Sequence, residues 1–234
     1  MPVAVISGAT KGIGKAISVK LAAEGFDLAL YARTMTDLEK LKEELIVKHP
    51  SLKILIKATD AGNENEVKSF ADAVIEVFDS VDILVNNAGI YYPGNVTDEP
   101  EGQLERMIAV NLYSAYHLTR ALLPLMKKKA AGHIFNMSSV AALKAYPGGG
   151  SYSISKYALQ GFSDNLRDEL KAYGIKVTAI CPGATWSNSW SGSGVKEERI
   201  MKAEDIAAVL WTAYSLSLQA VMEQIVLRPQ LGDL

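Results

Sequence analysis

The stretch Ser7–Gly14, SGATKGIG, joins an apolar segment to an amphipathic one and is therefore the strongest indication of the fold. The apolar run Val3–Ser7 leads into it, and in Ile13–Ala23 apolar residues recur with the spacing of a helix. Glycines at a strand-to-helix turn permit a tight bend, and the helix start offers free N–H groups to an anion. The spacing G-x-x-x-G-x-G differs from the standard dinucleotide-binding fingerprint, so a purely structural role for these glycines stays open.

The alternation of strand and helix continues along the rest of the chain. Helical periodicity occurs again in Leu38–Val47 and Val67–Phe78. Strands that are apolar almost throughout indicate a sheet covered on both faces. We therefore predict one α/β domain over residues 1–234, with seven parallel strands, helices on both faces and a short loop at Ser187–Gly194. The six further predicted strands are Asp27–Tyr31, Leu52–Ala58, Val81–Val85, His133–Met137, Ile175–Cys181 and Gln224–Leu227.

Composition and charge exclude several classes of protein. The 24 Lys and Arg residues against 26 Asp and Glu give a net charge of −2, which lacks the basic footprint of a nucleic-acid binder. One cysteine, Cys181, rules out an internal disulfide framework, and three scattered histidines make no zinc set. Residues Met1–Ile6 are typical of a strand rather than a signal peptide, and no apolar run is long enough for a membrane span. We expect a cytoplasmic protein without a metal or a membrane partner.

The end of the second predicted strand is where a dinucleotide-binding fold reads the adenosine ribose. An acid there binds the 2′-hydroxyl, whereas an arginine accepts a 2′-phosphate. The sequence Tyr31–Thr34, YART, has Arg33 and no acid, and Lys11 in the glycine turn adds a second positive charge. This pattern predicts NADP(H) in preference to NAD(H). The alternative is that both residues are solvated surface cations.

A second set of motifs falls at the same edge of the predicted sheet. Tyr152 and Lys156 are four residues apart and share one helix face, although such pairs are common by chance. Ser139 follows the strand His133–Met137, and open α/β sheets bind ligands at the carboxyl ends of their strands. The motif Asn86–Gly89, NNAG, ends another strand at that edge, and Asn111 lies in the next helix.

With these motifs in this order, the chain resembles the classical short-chain dehydrogenase/reductase family over essentially its whole length. The resemblance implies a Rossmann-type fold, an NAD(P)-dependent oxidoreductase and a catalytic tetrad of Asn111, Ser139, Tyr152 and Lys156. Two positions depart from the family pattern. Ser7 replaces the usual Thr, and Ser187 stands where a Thr often contacts the nicotinamide carboxamide. The cofactor-binding residues that it implies are Gly8, Thr10, Lys11, Gly12, Ile13, Gly14, Arg33, Asp60, Asn87, Ala88, Gly89, Tyr152, Lys156, Pro182, Gly183 and Thr185.

The chemistry of carbonyl reduction suits the residue types in this tetrad. A ketone that receives a hydride develops negative charge on its oxygen, so an acid must lie within hydrogen-bond reach. Tyr152 would be that acid, and the Lys156 ammonium, together with the oxidised nicotinamide, would lower its pKa from about 10. Ser139 would hold the carbonyl oxygen, and Lys156 would also bond the nicotinamide ribose. The resemblance implies that Asn111 holds a water linking Lys156 to solvent.

Several other residues keep two interpretations. Asp60 either contacts adenine, as the resemblance implies, or is a turn or cap residue. Lys127–Lys129 suits a helix end, with a carrier-protein docking site as the alternative, and His133 is interpreted as structural. Five aromatic residues either line a substrate pocket or pack a lid: Tyr91, Tyr92, Tyr146, Trp186 and Trp190.

We therefore predict an NADPH-dependent reductase that converts a ketone to a secondary alcohol. The carboxyl-terminal segment Glu223–Pro229, with Ala32–Thr34 and Glu204–Ala207, resembles a bacterial sepiapterin-reductase-like branch more than the carrier-linked 3-oxoacyl reductases. Substrate candidates are a small diketone, a pterin side chain and a 3-oxoacyl group. A non-catalytic NADP(H)-binding sensor or scaffold is the alternative. The resemblance also implies a homodimer or homotetramer formed through the helices around Asn111 and Tyr152.

Overall fold

The computed structural model describes residues 1–187, 190 and 194–233. In this part of the chain, seven strands form one sheet: β1 Val3–Ser7, β2 Asp27–Ala32, β3 Ile54–Ala58, β4 Ile83–Asn86, β5 Gly132–Met137, β6 Ile175–Pro182 and β7 Gln224–Leu227. Their order across the sheet is β3-β2-β1-β4-β5-β6-β7, and all neighbouring pairs are parallel. The predicted doubly wound parallel sheet is confirmed, and every predicted strand overlaps one of these.

Helices cover both faces of the sheet. The α-helices of the described ranges are α1 Gly12–Ala23, α2 Met35–Lys48, α3 Glu64–Val77, α4 Gln103–Ile108, α5 Ser114–Lys129, α6 Gly150–Leu170 and α7 Ala203–Tyr214. One face of the sheet packs against α1, α2 and α7, and the other packs against α3, α5 and α6. A π-helical turn, Ala109–Tyr113, lies between α4 and α5. Within the described ranges no helix is long and apolar enough to cross a membrane.

Strand β1 shows why the strand sequences are apolar almost throughout. All five of its residues are buried. Ala4 and Ile6 belong to the core beneath α1, α2 and α7, whereas Val3 and Val5 belong to the core on the opposite face. Successive side chains of a strand point to opposite faces, so a sheet with two cores requires apolar residues at every position.

The order of the strands places the ligand-binding edge. The chain runs from β1 outward to β3 on one side, and β4 then starts the other half of the sheet beside β1. In open α/β sheets ligands bind at this reversal, outside the carboxyl ends of the strands. A cavity of about 1150 Å³ lies there, lined by residues that follow β1, β2, β4, β5 and β6.

Candidate active site

The glycine turn between β1 and α1 forms one end of the cavity. Gly8 and Gly12 have φ values of +64° and +49°, in the left-handed region that favours glycine. A Cβ atom on Gly14 would lie 2.1 Å from the Gly8 carbonyl oxygen, so this glycine lets α1 pack against the turn. No side chain caps α1, and its first turn has no acidic residue. Its free N–H groups and positive dipole end therefore suit an anion. Five residues of this turn line the cavity: Gly8, Thr10, Lys11, Gly12 and Ile13.

The hydroxyl of Ser7, one of the two departures from the family pattern, joins the ends of β1 and β4. Its Oγ donates to the Val85 carbonyl at 3.2 Å and accepts from the backbone N–H groups of Asn87 and Ala88 at 2.8 and 2.9 Å. The Asn87 amide donates to the carbonyl oxygens of Ser7 and Gly8 at 3.0 and 3.1 Å. The contacts use only the hydroxyl that Ser and Thr share, so the replacement leaves this junction intact.

The corner predicted to read the adenosine ribose holds an acid that the sequence analysis did not place there. Arg33 is exposed and lines the cavity with Lys11. Asp37, in the first turn of α2, also lines the cavity, and its Oδ2 lies 3.2 Å from Lys11 Nζ. Part of the Lys11 charge is therefore balanced within the protein, and Arg33 is the more available cation.

Asp60 has the contacts of a turn residue and also lies at the cavity. It lines the cavity, and its Oδ1 accepts from the Gly62 N–H at 2.9 Å, as a turn residue does. Its Oδ2 lies 3.4 Å from Arg106 Nη2, a cavity residue that the sequence analysis missed. The Gly62 hydrogen bond, together with Arg106 and Arg33, holds the pKa of Asp60 below its usual range.

Tyr152 and Ser139 meet at the other end of the cavity. Ser139 follows β5, Tyr152 lies in the first turn of α6, and both line the cavity. Burial raises the pKa of the Tyr152 phenol, and a hydrogen bond with Ser139 only partly opposes this. In the protein by itself the pKa of Tyr152 is therefore raised and not lowered as predicted. That prediction also counted on the positive charge of an oxidised nicotinamide, which the protein does not supply.

Lys156 is held beneath Tyr152. Its Nζ donates to the Met137 carbonyl at 2.8 Å and lies 5.7 Å from the centre of the Tyr152 ring. The residue is only 4% exposed, and this burial lowers its pKa to about 8. Near neutral pH its amine therefore gains or loses a proton more readily than an exposed lysine does.

Asn111 links the segment that follows β4 to α6, the helix that carries Tyr152. It lies in the π-helical turn, a feature found frequently at functional sites. Its Oδ1 accepts from the Ile90 N–H at 2.8 Å, and its Nδ2 donates to the Ile90 carbonyl at 3.0 Å and to Ser155 Oγ at 2.9 Å. These bonds use both amide donors and one of two acceptor positions. A Cβ on Gly89 would lie 3.3 Å from Asn111 Oδ1 and 3.5 Å from Lys156 Nζ, so glycine leaves space between them.

The end of β6 and the segment after it form part of the cavity wall. The Gly183 N–H donates to the Leu227 carbonyl at 2.8 Å, and the Thr185 hydroxyl donates to the Gly183 carbonyl at 3.0 Å. Pro182, Gly183, Thr185 and Ser187 line the cavity. The ion pair of Arg228 with Asp233, which the sequence analysis missed, lines it too.

Aromatic residues line the cavity around Tyr152. The Tyr91 ring packs edge-on against the Tyr152 ring, with centroids 4.9 Å apart. A hydrogen bond links Tyr91 to Tyr146, and Tyr92 and Trp190 line the same cavity. Among the described residues Trp186 is not part of this lining. Residues 188, 189 and 191–193 of the predicted Ser187–Gly194 loop lie outside the described residues. Four of the five aromatic residues therefore line the cavity.

Two other sequence features have structural partners away from the cavity. At the end of α5, Lys127 Nζ lies 4.1 Å from the centre of the Tyr173 ring, and Lys129 pairs with Asp82. His133 is buried, and its Nε2 lies 2.7 Å from Thr178 Oγ1. Burial lowers the pKa of His133 to about 3. These contacts support structural roles.

Comparison with known proteins agrees with this arrangement. The short chain dehydrogenase family model matches residues 2–197. A sepiapterin reductase from Chlorobaculum tepidum is 34% identical over 238 residues, covering 98% of this chain and 97% of the relative. The structure of an alcohol dehydrogenase from the archaeon Thermococcus sibiricus, complexed with 5-hydroxy-NADP, has a TM-score of 0.90 and 30% identity, covering 98% of this chain and 97% of that one. The structure of a serine dehydrogenase complexed with NADP+ has a TM-score of 0.89 and 27% identity, covering 99% of this chain and 96% of that one. The chain therefore belongs to the short-chain dehydrogenase/reductase family of oxidoreductases.

Proposed function

We propose that this chain uses NADPH to reduce a ketone to a secondary alcohol, with Tyr152 as the general acid. The observation that carries this proposal is that one cavity contains both the uncapped start of α1 and the Tyr152–Ser139 pair above Lys156. An anion-binding helix end and a buried proton donor are the two parts that a dinucleotide-dependent reductase needs.

The residues present fit NADPH. The cavity of about 1150 Å³ exceeds the volume of most small-ligand pockets, so it has room for a dinucleotide and a small substrate. The N–H groups of residues 12–14 would hold the pyrophosphate, Arg33 with Lys11 the 2′-phosphate and Asp60 the adenine. Two of the similar structures were solved with NADP or a derivative of it. When bound, the cofactor supplies the hydride.

The nicotinamide half would lie against the remaining cavity residues. Lys156 would bond the ribose hydroxyls together with Tyr152, as in the family. The segments Asn87–Gly89 and Pro182–Thr185 both line the cavity and would contact the ring. This part of the site lies next to Tyr152, where the substrate carbonyl must be placed for reduction.

Each member of the tetrad then has a task at a stated atom. Tyr152 Oη donates its proton to the carbonyl oxygen, and Ser139 Oγ holds the same oxygen as a second donor. The Lys156 ammonium stabilises the phenolate that remains, and its pKa of about 8 suits proton exchange near neutrality. We infer that Asn111 holds a water through which Lys156 exchanges protons with solvent.

The part of the cavity around Tyr152 suits a planar carbonyl compound. Tyr91 and Tyr146 flank Tyr152, and aromatic walls pack well against flat, conjugated groups. The similar Chlorobaculum tepidum protein is a sepiapterin reductase. We therefore place a pterin side chain first among the three candidates, ahead of a small diketone and a 3-oxoacyl group.

The test is NADPH oxidation, followed by absorbance, against a panel of these three carbonyl classes, with wild type and Tyr152→Phe. Phenylalanine keeps the ring contact with Tyr91 but lacks the proton, so we expect turnover to fall about 10²- to 10⁴-fold with NADPH affinity unchanged. Full activity in Tyr152→Phe would refute the assignment of the acid. Tight NADPH binding by a wild type that reduces none of the panel would favour the non-catalytic sensor.

We also propose that the chain forms homodimers or homotetramers through α5, α6 and the turn before α5. This surface exposes Tyr113, Ile154 and Tyr157, which are 52%, 41% and 47% accessible. Large apolar side chains grouped on neighbouring helices are typical of an interface. Analytical ultracentrifugation measures the number of subunits, and a strictly monomeric enzyme would contradict the proposal.

A further inference from the structure

Helix α6, which carries Tyr152 and Lys156, begins without a cap from its own sequence. Its N-cap residue is Gly149, which has no side chain, and its first turn contains no acidic residue. The first N–H groups of a helix need acceptors, and a negative charge is favourable beside them. Ser151, next to Tyr152, is fully buried with its hydroxyl. An acceptor for this helix start must therefore come from another part of the chain.

Glu99 provides that acceptor from the loop of residues 87–102, which connects β4 to α4. Its carboxylate accepts from the Ser151 N–H at 3.2 Å and also from the Ser151 hydroxyl. Gln103 Nε2 donates to the same carboxylate at 3.2 Å and steadies it from α4. The hydrogen bonds from Ser151 hold the pKa of Glu99 below its usual range, so it is charged at neutral pH.

The backbone of the same loop lies directly against the helix start. The Gly94 N–H donates to the Gly148 carbonyl at 3.1 Å, and the Gly148 N–H donates to Asn95 Oδ1 at 3.1 Å. A Cβ on Gly150, whose φ is +27°, would lie 2.4 Å from the Gly94 carbonyl oxygen and 2.8 Å from Glu99 Oε2. The contact therefore depends on a glycine at the first position of α6.

The loop also reaches the Tyr152 ring itself. Tyr91 packs edge-on against that ring with centroids 4.9 Å apart, and the hydrogen bonds of Asn111 to Ile90 hold this end of the loop. Tyr152 is thus held at two points by one loop, through its ring by Tyr91 and through the preceding residue by Glu99.

We propose that Glu99 is a positioning residue that caps the catalytic helix and thereby sets the Tyr152 hydroxyl against the substrate carbonyl. The proposal rests on the proposed function, because it concerns how the acid is presented. Glu99 contacts neither the expected cofactor site nor the reacting atoms. Its removal should therefore affect the chemical step more than NADPH binding.

The first experiment compares kcat, the KM for the carbonyl substrate and the Kd for NADPH in three variants. In Glu99→Ala the buried Ser151 hydroxyl and the helix N–H lose their acceptor, and we expect kcat to fall about 10- to 100-fold with both other constants nearly unchanged. Glu99→Gln keeps a carbonyl acceptor of the same size, so it should recover most of the lost kcat. Glu101→Ala is the matched control, because Glu101 is an exposed acid on the same loop.

The second experiment needs no turnover and measures amide hydrogen exchange in the NADPH-saturated protein. We expect faster exchange at residues 151–156 in Glu99→Ala than in Glu101→Ala, with thermal stability reported beside it. Unchanged exchange or unchanged kcat in Glu99→Ala would overturn the proposal, as would an equal loss of NADPH affinity. A wild type that reduces no carbonyl would instead defeat the proposed function, while the exchange comparison still decides whether Glu99 holds the helix start.

Discussion

Replacing Arg33 with alanine tests how the site distinguishes NADPH from NADH. Arg33 follows β2, is exposed and lines the cavity, so its removal should leave the fold intact. Lys11, the second cation at this corner, lies 3.2 Å from the Asp37 carboxylate and is already partly neutralised. Arg33 should therefore carry most of the binding energy of the 2′-phosphate.

The size of the effect follows from the kind of contact that is lost. A hydrogen bond to a charged group contributes about 1.5–3 kcal/mol, which corresponds to a rise of about 10- to 150-fold in the Kd for NADPH. NADH has no 2′-phosphate, so its Kd should change by less than about twofold. The ratio of the two constants thus isolates the phosphate contact from any general damage to the site.

Fluorescence titration of both reduced cofactors at one ionic strength gives these constants. Lys144→Ala is the control, because Lys144 is an exposed cation that lines the cavity near Tyr146 rather than near Arg33. Screening weakens exposed charge contacts, so added salt should weaken NADPH binding more in wild type than in Arg33→Ala. An unchanged NADPH-to-NADH ratio would show that the phosphate is bound elsewhere, and an equal rise in both constants would show that Arg33 supports the cavity as a whole.

Two further predictions follow from the contacts of Asp37 and His133. Asp37→Asn releases Lys11 from an exposed ion pair worth about 0.2–1 kcal/mol, so titration should show NADPH binding about 1.4- to fivefold tighter with NADH unchanged. Weaker NADPH binding would mean that Asp37 orients Lys11 toward the phosphate. Burial lowers the pKa of His133 in the folded state from 6.5 to about 3. Between pH 3 and pH 6.5 the unfolded state therefore binds a proton that the folded state does not, so the free energy of unfolding falls as the pH drops below 6.5. Urea unfolding should show a loss of about 2 kcal/mol between pH 8 and pH 5 from this group, absent in His133→Gln, and equal pH slopes in both proteins would contradict this origin.

The fold was predictable from the sequence because its signals are local. The apolar run Val3–Ser7, the glycines after it and the periodicity of Ile13–Ala23 specify strand, turn and helix within about twenty residues. Parallel strands joined by helices have few possible arrangements, and each places the strand carboxyl ends at one edge. Ser139 and Asn87, which both follow strands, are therefore expected at the same edge of the sheet whatever their individual contacts.

The contacts that refine the site could not be predicted because their partners are distant in the chain. Glu99 is separated from Ser151 by 52 residues and Asp60 from Arg106 by 46. Nothing in the acidic sequence around Glu99 distinguishes the residue that caps α6 from its exposed neighbour Glu101. That distinction arises only when the loop packs against Gly150.

The parallel sheet and the glycine turn follow from residue type and spacing alone, and the motifs that the chain shares with its family imply the tetrad of Asn111, Ser139, Tyr152 and Lys156. The tertiary structure alone decided the protonation properties of the site. Burial raises the pKa of Tyr152 and lowers that of Lys156 to about 8. Desolvation depends on every element that surrounds a group, so these shifts exist only once the distant segments have packed together.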